Sequence, residues 1–402
     1  MCFTSLSILG MFGPAALLAA CSLNAFGAYD VLSADVSHPQ PALERVVYQV
    51  EVDHLKLNRF AITHVSSRHG GRGSVLLLSP FLLPGSFYEI SETGEYANSA
   101  AGELAKAGYD VWLVDQRRTR LPVGACESST DCHAMADWDF NAFSQDALFA
   151  LSLLKSFDSH RKPVIGGFSA GANAALATVN RAPGEFAGVF LYEGTFFTED
   201  PLIAAHNDTI CTNLQGAIAA GGLFDPSSAV LGQVLRLAHA NPSAPSPLPV
   251  FPPGTTNEQA MFFVFGTPPP VGALSPTPGF IRNRVDFATQ SFVYTNEQRL
   301  ELVGPLFDNY GSLAALRDLS CGLAGRDDSY YGNVGAFHGD LLVYVEGTGF
   351  GQAMFDTVSL FDHAAHVNIE HHPEFGEADP YFGFRWKQTF LKPLEDWLRR
   401  TL

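Results

Sequence analysis

Positive charge is scarce in this chain of 402 residues: 24 Lys and Arg stand against 41 Asp and Glu, a net charge of −17. A surface of that sign repels phosphate backbones and anionic headgroups, so no nucleic-acid partner is expected. Charge of either sign is missing from the first 29 residues. No apolar run anywhere is as long as the about 20 residues a membrane-spanning helix needs. Internal repeats are absent, which excludes solenoids and propellers. Metal-ligand spacing is also missing. Asp362, His363, His366, His371 and His372 cluster in sequence, but their intervals match no ligand pattern. Neither a metal nor a cofactor is implied.

What remains is a core-forming chain, 47% hydrophobic and only 16% charged, and such a composition excludes disorder. Its length suits one large domain with an insertion. Residues 8–20 are apolar or small and run into Leu18-Ala19-Ala20-Cys21-Ser22. A stretch this short reads as the core of a signal peptide, residues 1–21. The small residues before Cys21 resemble a bacterial lipobox, although no Lys or Arg precedes the apolar core. The expectation is an exported protein, periplasmic, extracellular or an outer-membrane lipoprotein attached to the membrane through a lipid on Cys21. Cys126, Cys132, Cys211 and Cys321 then form an even set in an exported chain, which suggests disulfides. Cys126 and Cys132 would close a short loop, leaving Cys211 for Cys321; free buried thiols are the alternative.

Residues 45–53 and 57–65 alternate apolar and polar positions, as half-exposed strands do. Residues 74–79, 110–115, 163–168, 188–192 and 341–345 are continuous apolar runs, expected where a strand is buried on both faces. Residues 366–370 read as a last strand. Helical spacing lies between them at 97–107, 139–154 and 170–179, and a closing helix over 384–402 bends at Pro393. The order predicts an α/β fold, a mostly parallel sheet flanked by helices. Core segments are expected at 40–194 and 338–402. Between them, 195–337 is Pro-dense and irregular, and reads as a cap inserted over the carboxyl edge of the sheet, where ligands bind in such folds.

The informative segment is Pro163-Val-Ile-Gly-Gly-Phe-Ser169-Ala170-Gly171. A buried strand runs into Gly-x-Ser-x-Gly and then into a helix of small residues. Such a turn strains the serine backbone, lifts its hydroxyl to the sheet edge, and aims the Ala170 N–H at any oxyanion. On these residues, with Val75-Leu-Leu-Leu-Ser79-Pro80-Phe81-Leu82 and Val111-Trp-Leu-Val-Asp115-Gln-Arg-Arg118, the chain resembles the α/β-hydrolase family from Arg45 to Leu402, less the insertion. The resemblance implies Ser169 as nucleophile and an oxyanion hole from Ala170 and a donor at Phe81 or Leu82, since Pro80 has no N–H. It also implies an acid and then a histidine further along the chain. Asp115 and the arginines beside it read as structural.

The pattern breaks at those last two members. No carboxylate stands near Phe350, where the acid usually lies. Glu193, at the end of a strand, is the first choice, with Glu346 and Asp356 as alternatives. After the last strand the chain reads His371-His372-Pro-Glu-Phe-Gly376-Glu377-Ala-Asp379, with Glu377 where the histidine should be. An ordinary Glu, with a pKa of about 4.3, is too weak a base near neutral pH. His372, then His371, is therefore the expected base; His338, His363 and His366 fit worse. The functional expectation is a serine hydrolase acting on a hydrophobic small-molecule ester, an esterase or lipase working through an acyl-enzyme. The alternatives are an amidase or peptidase of the same fold, or an exported binding protein on a hydrolase scaffold.

Overall fold

The continuous apolar runs of the sequence become the middle of one sheet. The computed structural model describes residues 28–402 except 69, 118–120, 122–125, 127–129, 226–227, 268–280, 283–291 and 308–309. The signal segment and Cys21 lie outside the described residues. Nine strands form the sheet: β1 (Tyr29–Gln40), β2 (Leu43–Val52), β3 (Arg59–Ser67), β4 (Ser74–Leu78), β5 (Asp110–Val114), β6 (Val164–Phe168), β7 (Gly188–Tyr192), β8 (Asp340–Glu346) and β9 (His366–His372). Their order is β1-β2-β3-β5-β4-β6-β7-β8-β9. The pairs from β1 to β5 are antiparallel and those from β5 to β9 are parallel. The strands β4, β6 and β7 are buried throughout, because helices cover both faces. β1 has no counterpart among the strands expected above. It is an edge strand exposed along most of its length and so lacks an alternating pattern.

The helices α1 (Ala100–Lys106), α2 (Phe140–Phe157) and α3 (Ala170–Arg181) follow β4, β5 and β6. The core between α2, α3 and one face of the sheet is built on Phe143, Ala147, Leu151, Leu154 and Leu176. On the other face Leu104 of α1 joins Trp397 and Leu398 of the C-terminal helix. Asp139 caps α2, accepting from the Ala142 N–H at 2.8 Å. The C-terminal segment departs from one bent helix: a π-helical turn at Lys387–Leu391 precedes an α-helix, Lys392–Thr401, with Pro393 in its first turn, where its missing N–H costs nothing.

Between β7 and β8 the chain leaves the sheet. Among the described residues this stretch adds no strand to it and supplies helices α4 (Pro201–Ala219), α5 (Ser228–Ala240), α6 (Asn257–Phe265) and α7 (Leu313–Leu323). Cys211 of α4 is bonded to Cys321 of α7, and Cys126 to Cys132, with Cα separations of 4.9 and 5.4 Å. These are the expected pairings.

A buried ion pair fastens the sheet to α2. Arg117 donates from Nε and Nη2 to the two oxygens of Asp146, both at 2.8 Å, and the Tyr29 hydroxyl of β1 donates to Asp146 Oδ1 at 2.8 Å. Arg117→Ala would leave the Asp146 carboxylate buried without its counter-charge. The expected loss is about 3–5 kcal/mol in a urea titration; a loss below about 1 kcal/mol would mean that water reaches the pair.

Candidate active site

Because the central strands run parallel, their carboxyl ends bring distant residues to one edge: Ser79–Leu82 after β4, Ser169 after β6, Glu193 after β7, Glu346 ending β8 and His372 ending β9. Ser169 adopts φ 55° and ψ −124°, a left-handed backbone that costs a non-glycine residue about 1–3 kcal/mol. Its N–H donates to Tyr192 O at 2.8 Å, and its carbonyl accepts from Ala172 and Asn173 at 2.8 and 3.1 Å. There is no slack around this turn. A Cβ on Gly171 would fall on the Leu78 carbonyl, and one on Gly167 on the Gly171 backbone. The buried Tyr88 hydroxyl donates to Leu78 O and accepts from the Phe168 N–H, both at 3.0 Å, tying β4 to β6 below the serine.

The expected oxyanion donors lie beside it. Ala170 opens α3, whose first N–H groups have no partner within the helix. Leu82 is buried with φ 62°, and among the described residues its N–H donates no hydrogen bond. The loop carrying Phe81 and Leu82 is fixed by Asp115, whose Oδ1 accepts from the Gly85 N–H at 2.7 Å, the structural part read for it in the sequence. The Phe81 ring lies against Gly311 of the inserted region.

The side chain that meets the Ser169 hydroxyl is Glu377. Its carboxyl lies close enough for the Ser169 hydroxyl to favour its ionised form, is only 4% exposed, and leaves its Oε1 without a hydrogen-bond partner. Burial drives its pKa up to about 8, against a small lowering by the Ser169 hydroxyl. The ordinary weakness of Glu as a base is thereby removed. The sequence had pointed to this position, since Glu377 stands where the histidine was expected; its burial could not be read there.

The expected base and acid are engaged elsewhere. His372 sits directly beside Glu346 in the β8–β9 register, with Nδ1 3.1 Å from Glu346 Oε1, and its ring stacks on Phe375. That separation suits an ion pair, but burial lowers the His372 pKa and raises that of Glu346. Both shifts favour the uncharged forms of the two partners. His371 is exposed on the edge strand. Glu193 is fully buried with φ 50°. Its oxygens accept from the backbone N–H groups of Glu346 at 2.7 Å and Phe350 at 2.5 Å, so it holds the turn after β8. Asp356 holds another turn, accepting from the Glu199 N–H at 2.8 Å and Thr198 Oγ1 at 3.0 Å. Among the described residues neither His372 nor Glu193 is bonded to Ser169, and no cluster of His, Cys, Asp and Glu is arranged to hold a metal ion.

No protein-family model matches the chain, and no curated protein sequence does. Solved structures do. A proposed lipase from Sulfolobus solfataricus superposes with a TM-score of 0.67 at 17% identity, covering 92% of this chain and all of that one. A proposed non-haem bromoperoxidase from Mycobacterium tuberculosis gives 0.48 at 11% identity over 85% of this chain and 96% of that one. A malate-bound thermophilic esterase from Thermogutta terrifontis gives 0.43 at 15% identity over 85% and 94%. With the strand order above, the chain has the α/β-hydrolase fold.

The raised pKa of Glu377 has a consequence for stability. The folded state holds this proton up to about pH 8, whereas the unfolded chain releases it near pH 4.3. The group's favourable contribution is thus complete below the unfolded value and is lost as pH rises through about 8. Glu377→Gln, which cannot ionise, should gain stability over the parent between pH 5 and pH 8.5, by about 4 kcal/mol. Urea midpoints at the two pH values measure it; a difference independent of pH would mean an ordinary, hydrated carboxyl.

Proposed function

We propose that the chain is a serine hydrolase of carboxylic esters in which Ser169 is the nucleophile and Glu377 its base. The observation that carries this reading is the contact between the Ser169 hydroxyl and a buried carboxyl tuned near neutral pH, on an elbow held under strain. The ionised carboxylate takes the Ser169 proton as Oγ attacks the ester carbonyl. The N–H groups of Ala170 and of Leu82 or Phe81 receive the oxyanion. The leaving alkoxide takes the proton back from Glu377 as the tetrahedral intermediate collapses. Water, deprotonated by the same carboxylate, then cleaves the acyl-serine. In place of the roles expected from sequence, Glu193 and His372 shape the loops around the site. The two disulfides support an oxidising, exported setting. The proposed lipase among the structural neighbours, with a TM-score of 0.67, supports the ester class.

A pKa of about 8 also leaves Glu377 mostly protonated at pH 7, and a protonated carboxyl does not activate serine. That favours a second reading, a binding protein on this scaffold. The two separate on mass spectrometry after a fluorophosphonate probe at pH 8.5. One adduct on the parent and none on Ser169→Ala supports the hydrolase; no adduct on folded parent protein supports the binding reading.

The pH profile assigns the base. With Glu377, kcat/KM should rise tenfold per pH unit and level off above about pH 8. Glu377→Gln should lose about 100-fold or more, and His372→Ala less than about threefold. A rise centred near pH 6.5 that vanishes in His372→Ala would give the role to the histidine.

A further inference from the structure

The loop that carries Glu377 is held from outside the core. The Thr295 hydroxyl of the inserted region donates to Asp379 Oδ1 at 2.7 Å. The other oxygen of Asp379 accepts from the Gly376 N–H at 2.7 Å, and the Asp379 N–H donates to Gly376 O at 3.1 Å. Glu377 is thus enclosed in a turn whose two ends Asp379 joins, and Asp379 is gripped by the insertion.

The grip continues on both sides. The Asn296 N–H donates to Phe382 O at 2.9 Å, and the Phe384 N–H to Tyr294 O at 3.1 Å. The Tyr294 hydroxyl donates to Glu374 Oε2 at 2.9 Å, and its ring packs on Phe375 at 4.3 Å. Arg299, fully buried, donates from Nε to Tyr381 O at 2.9 Å and lays its guanidinium on Trp386, 4.0 Å from the ring centre. Residues 294–299 therefore run alongside 374–386 with backbone, hydroxyl and guanidinium bonds. A carboxyl on a loop would otherwise sample many positions, and displacement of about 1 Å can cost a reaction 100-fold.

We infer that the insertion is a clamp on Glu377, with Asp379 the positioning residue and Thr295 the insertion's hold on it. The inference rests on the reading of Glu377 as base, and it couples any movement of 294–299 to the site: the base is in place only while this segment is docked. Thr295→Val keeps shape and removes the hydroxyl, Thr295→Ser keeps the hydroxyl, and Asp379→Asn leaves one acceptor oxygen to serve two donors.

The test reads two quantities on the intact protein. The first is the titration of Glu377 by carbon-13 NMR of side-chain-labelled glutamate, assigned with Glu377→Gln. The second is the kcat and KM of ester hydrolysis. Thr295→Val should move the Glu377 midpoint from about 8 towards the ordinary value and lower kcat about tenfold, with KM within about twofold. Thr295→Ser should restore both, and Asp379→Asn should reproduce Thr295→Val. If Thr295→Val leaves the midpoint where it is, the clamp is overturned, whether or not esters are cleaved. If no variant, nor the parent, is labelled by a fluorophosphonate, the hydrolase reading fails, and the shift in the midpoint still decides the clamp.

Discussion

A carboxyl group buried against a serine hydroxyl is the constraint around which the carboxyl edge of this sheet is organised. Water would hold Glu377 ionised and inert as a base. The fold instead encloses it until its pKa reaches about 8, where gaining or losing a proton costs little near neutrality. The serine is fixed just as firmly. Its strained backbone is kept by the Tyr192 carbonyl and by glycines that let β4, β6 and α3 touch, so neither partner can drift from the other without breaking several bonds.

The same edge crowds further acids together, and each is dealt with differently. Burial raises the pKa of Glu193, and its oxygens accept from two backbone N–H groups. Glu346 leans on His372, and Asp379 on Thr295 and Gly376. Glu346 and Glu377 both push the pKa of Glu193 upward, as like charges must in a dry place. Among the described residues Glu346 and Glu377 each keep one oxygen without a partner, and Glu377 is the one beside the Ser169 hydroxyl. Geometry, rather than acidity, distinguishes Glu377 from its neighbours.

Much of the fold was legible because its signals are local. Continuous apolar runs marked the buried strands, Gly167-Phe168-Ser169-Ala170-Gly171 marked the elbow, and the even cysteine count marked the disulfides. The edge strand β1 was not legible, since a strand exposed along most of its length has no period to read. At the site, the strained turn at Ser169 could be found from its own neighbours, but the carboxyl beside it could not. Glu377 stood in the right register, yet what raises its pKa is burial by the folded chain, which no short window contains. His372 was expected because the resemblance asks for a histidine after the last strand and an ordinary Glu is too weak a base. Its pairing with Glu346 depends on the β8–β9 register, and Thr295 reaches Asp379 across 84 residues.

The most direct test of the account is chemical rescue. Glu377→Ala leaves a cavity beside Ser169, and a small carboxylate such as formate can enter it and take up the missing role. The account predicts that Ser169 in this variant reacts very slowly with a fluorophosphonate, and that the rate rises in proportion to added formate, but not with chloride at equal ionic strength. A variant that reacts at the parent's rate without formate would contradict it, because Ser169 would then draw its activation from another group.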